Sequence, residues 1–145
     1  MEINEIISFL PYQKPFLFVD EITFADEQSI EGHFTFSEHL SFYEGHFKNQ
    51  PVTPGVILIE TMAQIGLVSF GIYLNGNAVE NQNIAFTAAN VEFLKPVFPN
   101  EKVVVKSEKV YFRFGKLRCQ IKMYNIENEV VCKGLMDGMM FLKKV

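Results

Sequence analysis

Nineteen consecutive residues, Val56 to Leu74 (VILIETMAQIGLVSFGIYL), carry one formal charge, Glu60. A stretch of that length and apolarity is long enough to raise the question of a membrane span. Glu60, Gln64, Ser69, two glycines and the lack of flanking basic residues argue against one. Pro54-Gly55 opens the stretch, with Thr53 available as a cap, and the turn signal Asn75-Gly76-Asn77 closes it. The spacing predicts a helix over about 54–74 with apolar residues on nearly all faces. Such a helix must be enclosed nearly all round by the rest of the chain.

What remains reads as β-structure. Ile30, Gly32, Phe34 and Phe36 alternate with Glu31, His33 and Thr35, and Leu117, Cys119, Ile121 and Met123 alternate with Arg118, Gln120, Lys122 and Tyr124. Val103 to Phe112 is a β-branched and aromatic run, and Phe16–Ile22 and Ile84–Phe93 are two further strand candidates. Turns at Phe114-Gly115-Lys116 and Glu127-Asn128-Glu129 join three consecutive C-terminal strands, and a short helix over about 3–9 precedes Pro11. Two strands, one long helix and four strands predict an α+β hotdog-like arrangement, a curled antiparallel sheet wrapped around one long buried helix. A lone curled sheet leaves an edge strand open, which predicts pairing across a dimer.

Composition bounds the function. At 145 residues the chain holds one domain, 1–145, and 48% hydrophobic against 21% charged residues excludes a disordered tail. Fifteen Phe, with no Trp, imply a large apolar interior, an apolar ligand or a subunit interface. The net charge of −4 is scattered and leaves no footprint for nucleic acid. Cys119 and Cys132 form neither a metal spacing nor a C-x-x-C motif, and they read as buried hydrophobes in a reducing compartment. The N-terminus lacks a cleavable-signal pattern, so the expected location is cytoplasmic. No metal or organic cofactor motif is present.

The chemistry concentrates in residues 45–64, GHFKNQPVTPGVILIETMAQ. A histidine precedes a P-x-x-P-G turn, the turn opens the apolar helix, and Glu60 stands inside it with Gln64 one turn on, on the same face. A carboxylate on a buried helix is costly unless paired or functional, and burial raises its pKa toward that of a neutral-pH proton donor. His46 supplies a base. Gly55 supplies an unpaired N–H at a positive helix end and room for a ligand to approach. Base, acid and oxyanion donor together suit proton abstraction beside a carbonyl. If the acid also faces a leaving hydroxyl, the reaction is elimination of water.

This segment resembles the active-site signature of the bacterial 3-hydroxyacyl-acyl-carrier-protein dehydratases of the hotdog fold. Gly45-His46-Phe47, Pro51-Val52-Thr53-Pro54-Gly55-Val56 and Glu60-Thr61-Met62-Ala63-Gln64 carry the resemblance. Leu10-Pro11, Pro15-Phe16-Leu17, Val19-Asp20 and Phe93-Leu94-Lys95-Pro96-Val97-Phe98-Pro99 extend it over most of the chain. It implies that His46 removes the Cα proton, Glu60 protonates the departing 3-hydroxyl, and the Gly55 N–H polarises the thioester carbonyl. It further implies that the Val52 carbonyl fixes the His46 tautomer and that Gln64 orients Glu60 or the released water. The partners implied are an acyl carrier protein bearing a 3-hydroxyacyl chain and a second copy. The resemblance implies a homodimer with shared active sites and leaves open whether dimers assemble further, as in a trimer of dimers. Glu rather than Asp at position 60 resembles the dehydratase-only branch.

Tyr12 stands where the family often has His, Lys14 where Tyr is common, Thr53 for a frequent Met and Asn100 for a Gly. The departures at Tyr12, Lys14 and Thr53 leave chain length and carrier docking open. Phe47 and Phe86 are candidates for an acyl tunnel. Lys95, Lys102 and Arg113 are candidates for greeting an acidic carrier, although exposed cations are commonly just solvated. Gly32-His33-Phe34 repeats the tripeptide without the following turn, so His33 is expected to be a solvent-exposed strand residue and His39 an ordinary loop residue. The competing functions are a hotdog acyl thioesterase, with Glu60 activating water, and a non-catalytic acyl-binding subunit.

Overall fold

A computed structural model describes residues 1–76 and 82–142. A 3-10 helix spans Ile3–Phe9, followed by strands β1 (Glu21–Ala25) and β2 (Ser29–Thr35) and a short 3-10 turn, Ser41–Glu44. Helix α1 (Gly55–Ala63) runs through a π-helical turn (Gln64–Val68) into α2 (Ser69–Asn75). Strands β3 (Gln82–Phe93), β4 (Lys102–Arg113), β5 (Lys116–Tyr124) and β6 (Val130–Leu142) complete the described residues. All six strands pair antiparallel in the order β1-β2-β4-β5-β6-β3, leaving β1 and β3 as the edges.

The sheet wraps the helix, as the apolar stretch requires. Ile65, Leu67, Val68 and Phe70 are fully enclosed, and the π turn packs against β2, β3, β4, β5 and β6. The inward residues of β4 and β5 (Val103, Val105, Leu117, Cys119, Ile121 and Met123) form the opposite wall. At Gly66 the helix lies so close to the sheet that a Cβ would fall 2.8 Å from Ile121 Cδ1 and 3.0 Å from Ser107 Cβ. The only described helix long and apolar enough to cross a membrane is this one, Gly55–Asn75, and the sheet buries most of it.

The helix departs from the expected one in three places. Its first turns are only partly covered: Val56 is 72% exposed, and uninterrupted burial begins at Thr61. The π turn arises where hydroxyls compete for backbone carbonyls: Ser69 Oγ donates to Gln64 O (2.6 Å) and Ser107 Oγ to Gly66 O (2.7 Å). Thr53 does not cap the helix. Pro54 occupies the N-cap position, with no side-chain capping bond. Gly76 ends the helix at φ +56°, a backbone that favours glycine; Asn77 of the expected turn lies outside the described residues.

The strand expected over Phe16–Ile22 is a correction. β1 begins at Glu21, and residues 16–18 are not part of a sheet ladder. Their backbone groups are taken instead by the Gln64 side chain: Phe18 N–H donates to Oε1 (2.8 Å) and Nε2 donates to Phe16 O (3.0 Å). A relay of edge-to-face rings, Phe16–Phe18–Phe34–Phe36, then joins this loop to β2. Phenylalanine is divided in its use: Phe18, Phe36 and Phe70 are buried, whereas Phe47, Phe86, Phe93 and Phe98 lie open.

Candidate active site

His46 follows the 3-10 turn, with its N–H donating to Phe42 O (3.0 Å). The chain then doubles back, and Val52 N–H donates to His46 O (2.9 Å) while His46 Nδ1 lies 2.8 Å from Val52 O. A carbonyl can only accept, so Nδ1 carries the proton and Nε2 of the neutral ring keeps its lone pair. That is the tautomer of a base. Phe47 stacks on the imidazole at 3.8 Å between ring centroids and is 57% exposed.

Gly55 is the first residue of α1, so its N–H has no intrahelical acceptor and stands at the positive end of the helix. Its missing side chain matters: a Cβ there would lie 3.1 Å from the Phe93 ring. Val52, Thr53, Gly55, Leu58 and residues Phe93–Pro96 line an open groove of about 370 Å³ on this side. Lys95, a candidate for carrier docking, is engaged with Glu129 at 2.8 Å.

Glu60 lies five residues beyond Gly55, about 140° around the helix axis, and belongs to a separate cluster. Gln64 Nε2 donates to Glu60 Oε2 at 3.0 Å. With its two bonds to the Phe16–Phe18 loop, the fully buried Gln64 amide thus ties Glu60 to that loop. Burial raises the Glu60 pKa, and the Gln64 bond opposes this only in part. Tyr12 belongs to the same cluster: burial, then the Glu60 charge, push its phenol up to about 12. The sequence marked Tyr12 only as a departure; its nearness to Glu60 comes from the fold, because nothing in linear spacing links residues 12 and 60.

The structure therefore brings together His46 with Val52, and Glu60 with Gln64. Among the described residues no hydrogen bond or ion pair joins His46 to Glu60. Phe86 sits on edge strand β3, 41% exposed, outside the groove beside Gly55, whose aromatic wall is Phe93. His33 is not solvent-exposed as expected: it faces Glu21 across the β1–β2 pair, 3.1 Å away, with its side chain 21% exposed. His39 is an open loop residue. Arg113 lies over the Tyr111 ring, and burial pushes both thiols, Cys119 and Cys132, up to about 12. The described residues contain no metal-ligating cluster.

With this geometry in hand, comparison decides the family. The model for the FabA-like domain matches residues 10–136. The chain belongs to the FabA-like family. Its FabA-like relatives include the 3-hydroxyacyl-[acyl-carrier-protein] dehydratase FabZ of Geotalea uraniireducens, 34% identical over 119 residues, covering 79% of this chain and 80% of that protein. The FabZ of Acinetobacter baumannii is 34% identical over 139 residues, covering 95% and 88%. Among solved structures, a Haemophilus influenzae thioesterase superposes with TM-score 0.65 at 19% identity, covering 84% of this chain and 78% of that one. The smu.793 protein of Streptococcus mutans, bound to acetyl CoA, gives 0.69 at 10% identity, covering 94% and 98%. At such identities these structures speak to the fold alone, and the fold of this FabA-like chain is the hotdog.

Proposed function

We propose that this chain is a 3-hydroxyacyl-[acyl-carrier-protein] dehydratase that works as a homodimer with shared active sites. The observation that carries the reading is the complementary state of two groups. His46 holds its Nε2 lone pair free, and Glu60 is half-buried with its pKa raised. A base and a proton donor prepared in this way suit elimination of water. His46 Nε2 takes the Cα proton, the electron pair forms the 2,3 double bond, and the C3–O bond breaks as Glu60 delivers its proton to the departing hydroxyl. The Gly55 N–H polarises the thioester carbonyl during the step. Gln64 orients Glu60, and Val52 holds the base in its tautomer. The relatives named FabZ carry the same activity in their names, and Glu at position 60 fits that branch.

The dimer accounts for what one chain leaves unfinished. His46 and Glu60 lie in separate clusters, β3 offers a twelve-residue open edge, and Val56, Phe86 and Phe93 are exposed beside these features. In this reading His46 of one copy serves Glu60 of the other. The acyl group arrives on an acyl carrier protein, the chemistry uses no cofactor, and the setting is cytoplasmic. Phe47 and Phe86 remain candidates for the acyl tunnel. The thioesterase reading draws only on structural neighbours, which share the fold.

The test uses 3-hydroxyacyl and enoyl thioesters of an acyl carrier protein, followed by mass spectrometry in both directions. An 18-dalton change with wild type and none with Glu60→Gln supports the reading; release of free acid overturns it in favour of a thioesterase. Mixing inactive His46→Ala and Glu60→Gln chains then tests site sharing. Random pairing puts one intact site in each mixed dimer and restores about a quarter of wild-type activity. No restoration refutes the shared site.

A further inference from the structure

Thr53 precedes the helix start, yet its hydroxyl does not serve the helix. It lies 2.5 Å from the Tyr43 hydroxyl, and both residues are buried, 4% and 7% exposed. Burial keeps the Tyr43 phenol above its ordinary pKa, so it stays a neutral hydroxyl at physiological pH. Thr53 N–H donates to Val97 O at 2.8 Å. That N–H belongs to the same planar peptide group as the Val52 carbonyl, which accepts the His46 Nδ1 proton at 2.8 Å. One rigid unit is thus held by Val97 on one side and holds His46 on the other.

The Tyr43–Thr53 pair closes a ring around this unit. Tyr43 ends the approach to His46, two residues before Gly45, and Thr53 ends the return, one residue after Val52. Their bond joins the two ends of the His46 loop. Loss of either hydroxyl removes one of the ties on the Val52–Thr53 peptide, leaves the Val97 bond to hold it, and so loosens the acceptor that selects the imidazole tautomer.

The geometry points to Tyr43 and Thr53 as positioning residues that fix the orientation and tautomer of His46. The inference rests on the proposed role of His46 as base, and its test has a readout independent of turnover. The variants are Thr53→Val, nearly the same shape without the hydroxyl, Thr53→Ser, Tyr43→Phe and the double variant, each checked for folding by thermal melting. In ¹⁵N-histidine-labelled protein, with His46→Ala to assign the signal, wild type shows His46 protonated at Nδ1 alone. Thr53→Val and Tyr43→Phe show a mixture of tautomers, and Thr53→Ser restores the wild-type pattern.

In turnover, Thr53→Val and Tyr43→Phe lower kcat by roughly 10- to 100-fold, as misplacement of a catalytic group does, with KM little changed. The double variant is no worse than either single one. A folded Thr53→Val or Tyr43→Phe protein with an unaltered His46 tautomer and unaltered kcat overturns the inference, as does failure of Thr53→Ser to restore the tautomer. If wild type shows no dehydration, the functional reading falls while the tautomer experiment still decides the positioning role.

Discussion

Gln64→Leu replaces an amide that bridges two distant segments of the chain with an apolar side chain of similar size. The wild-type amide is fully buried and makes three bonds, to Phe18 N–H, Phe16 O and Glu60 Oε2, all at 2.8–3.0 Å. Leucine makes none. The Phe18 N–H, on a residue 2% exposed, is left without an acceptor, which costs about 1–3 kcal/mol. Phe16 is 47% exposed, so water replaces Gln64 at its carbonyl, and that bond contributes about 1 kcal/mol or less. Leucine recovers part of the loss through apolar burial. The net is about 1–3 kcal/mol of lost stability, a fall in Tm of roughly 2–12 °C for a chain of this size. Calorimetry or thermal circular dichroism at pH 7 reads it directly. Turnover falls further than stability requires, because Glu60 loses the contact that orients it. Gln64→Glu separates the two effects: it keeps an acceptor for Phe18 but replaces the donor, setting two carboxyls side by side and pushing Glu60 higher still. A Gln64→Leu protein melting within about 1 °C of wild type, below what the cited costs allow, refutes the claim that this amide holds the Phe16–Phe18 loop.

Glu60→Gln removes a carboxyl whose pKa burial raises above 4.5. The folded state therefore binds that proton more tightly than the unfolded one, and wild type loses stability as pH rises from about 4.5 through the raised value. The variant lacks this loss, so urea melts show its relative stability growing with pH over that window; a pH-independent difference refutes the assignment. Gly55→Ala places a methyl 3.1 Å from the half-exposed Phe93 ring; stability changes by less than about 1 kcal/mol because the ring yields, while kcat falls roughly 100-fold as the methyl crowds the proposed oxyanion donor. Gly66→Ala meets Ile121 and Ser107 at 2.8–3.0 Å; about 1–3 kcal/mol of overpacking exceeds the roughly 1 kcal/mol gain in helix propensity, so Tm drops by a few degrees. Val56→Glu, at a residue 72% exposed in the single chain, turns the dimer monomeric in sedimentation analysis; a dimer of unchanged affinity refutes the proposed interface.

The sequence by itself determined the enclosed helix and most of the strands around it, because uninterrupted apolarity and period-two alternation leave few other ways to hide that surface from water. It also put His46, Val52, Gly55, Glu60 and Gln64 into one short segment, where turn and helix spacing set their local relations. Tertiary structure decided what depends on distant backbone. The Phe16–Phe18 run reads as a strand by composition, but its hydrogen bonds go to Gln64, 46 to 48 residues away. Tyr12 enters the field of Glu60, and Thr53 leaves the helix cap for Tyr43, contacts that no periodicity encodes. His46 and Glu60 fall into different hydrogen-bonded clusters because folding ties one to the Val52 carbonyl and the other to the Gln64 amide. A hydrogen-bonding side chain takes the partner that folding brings to it, and local sequence names the side chain without naming the partner.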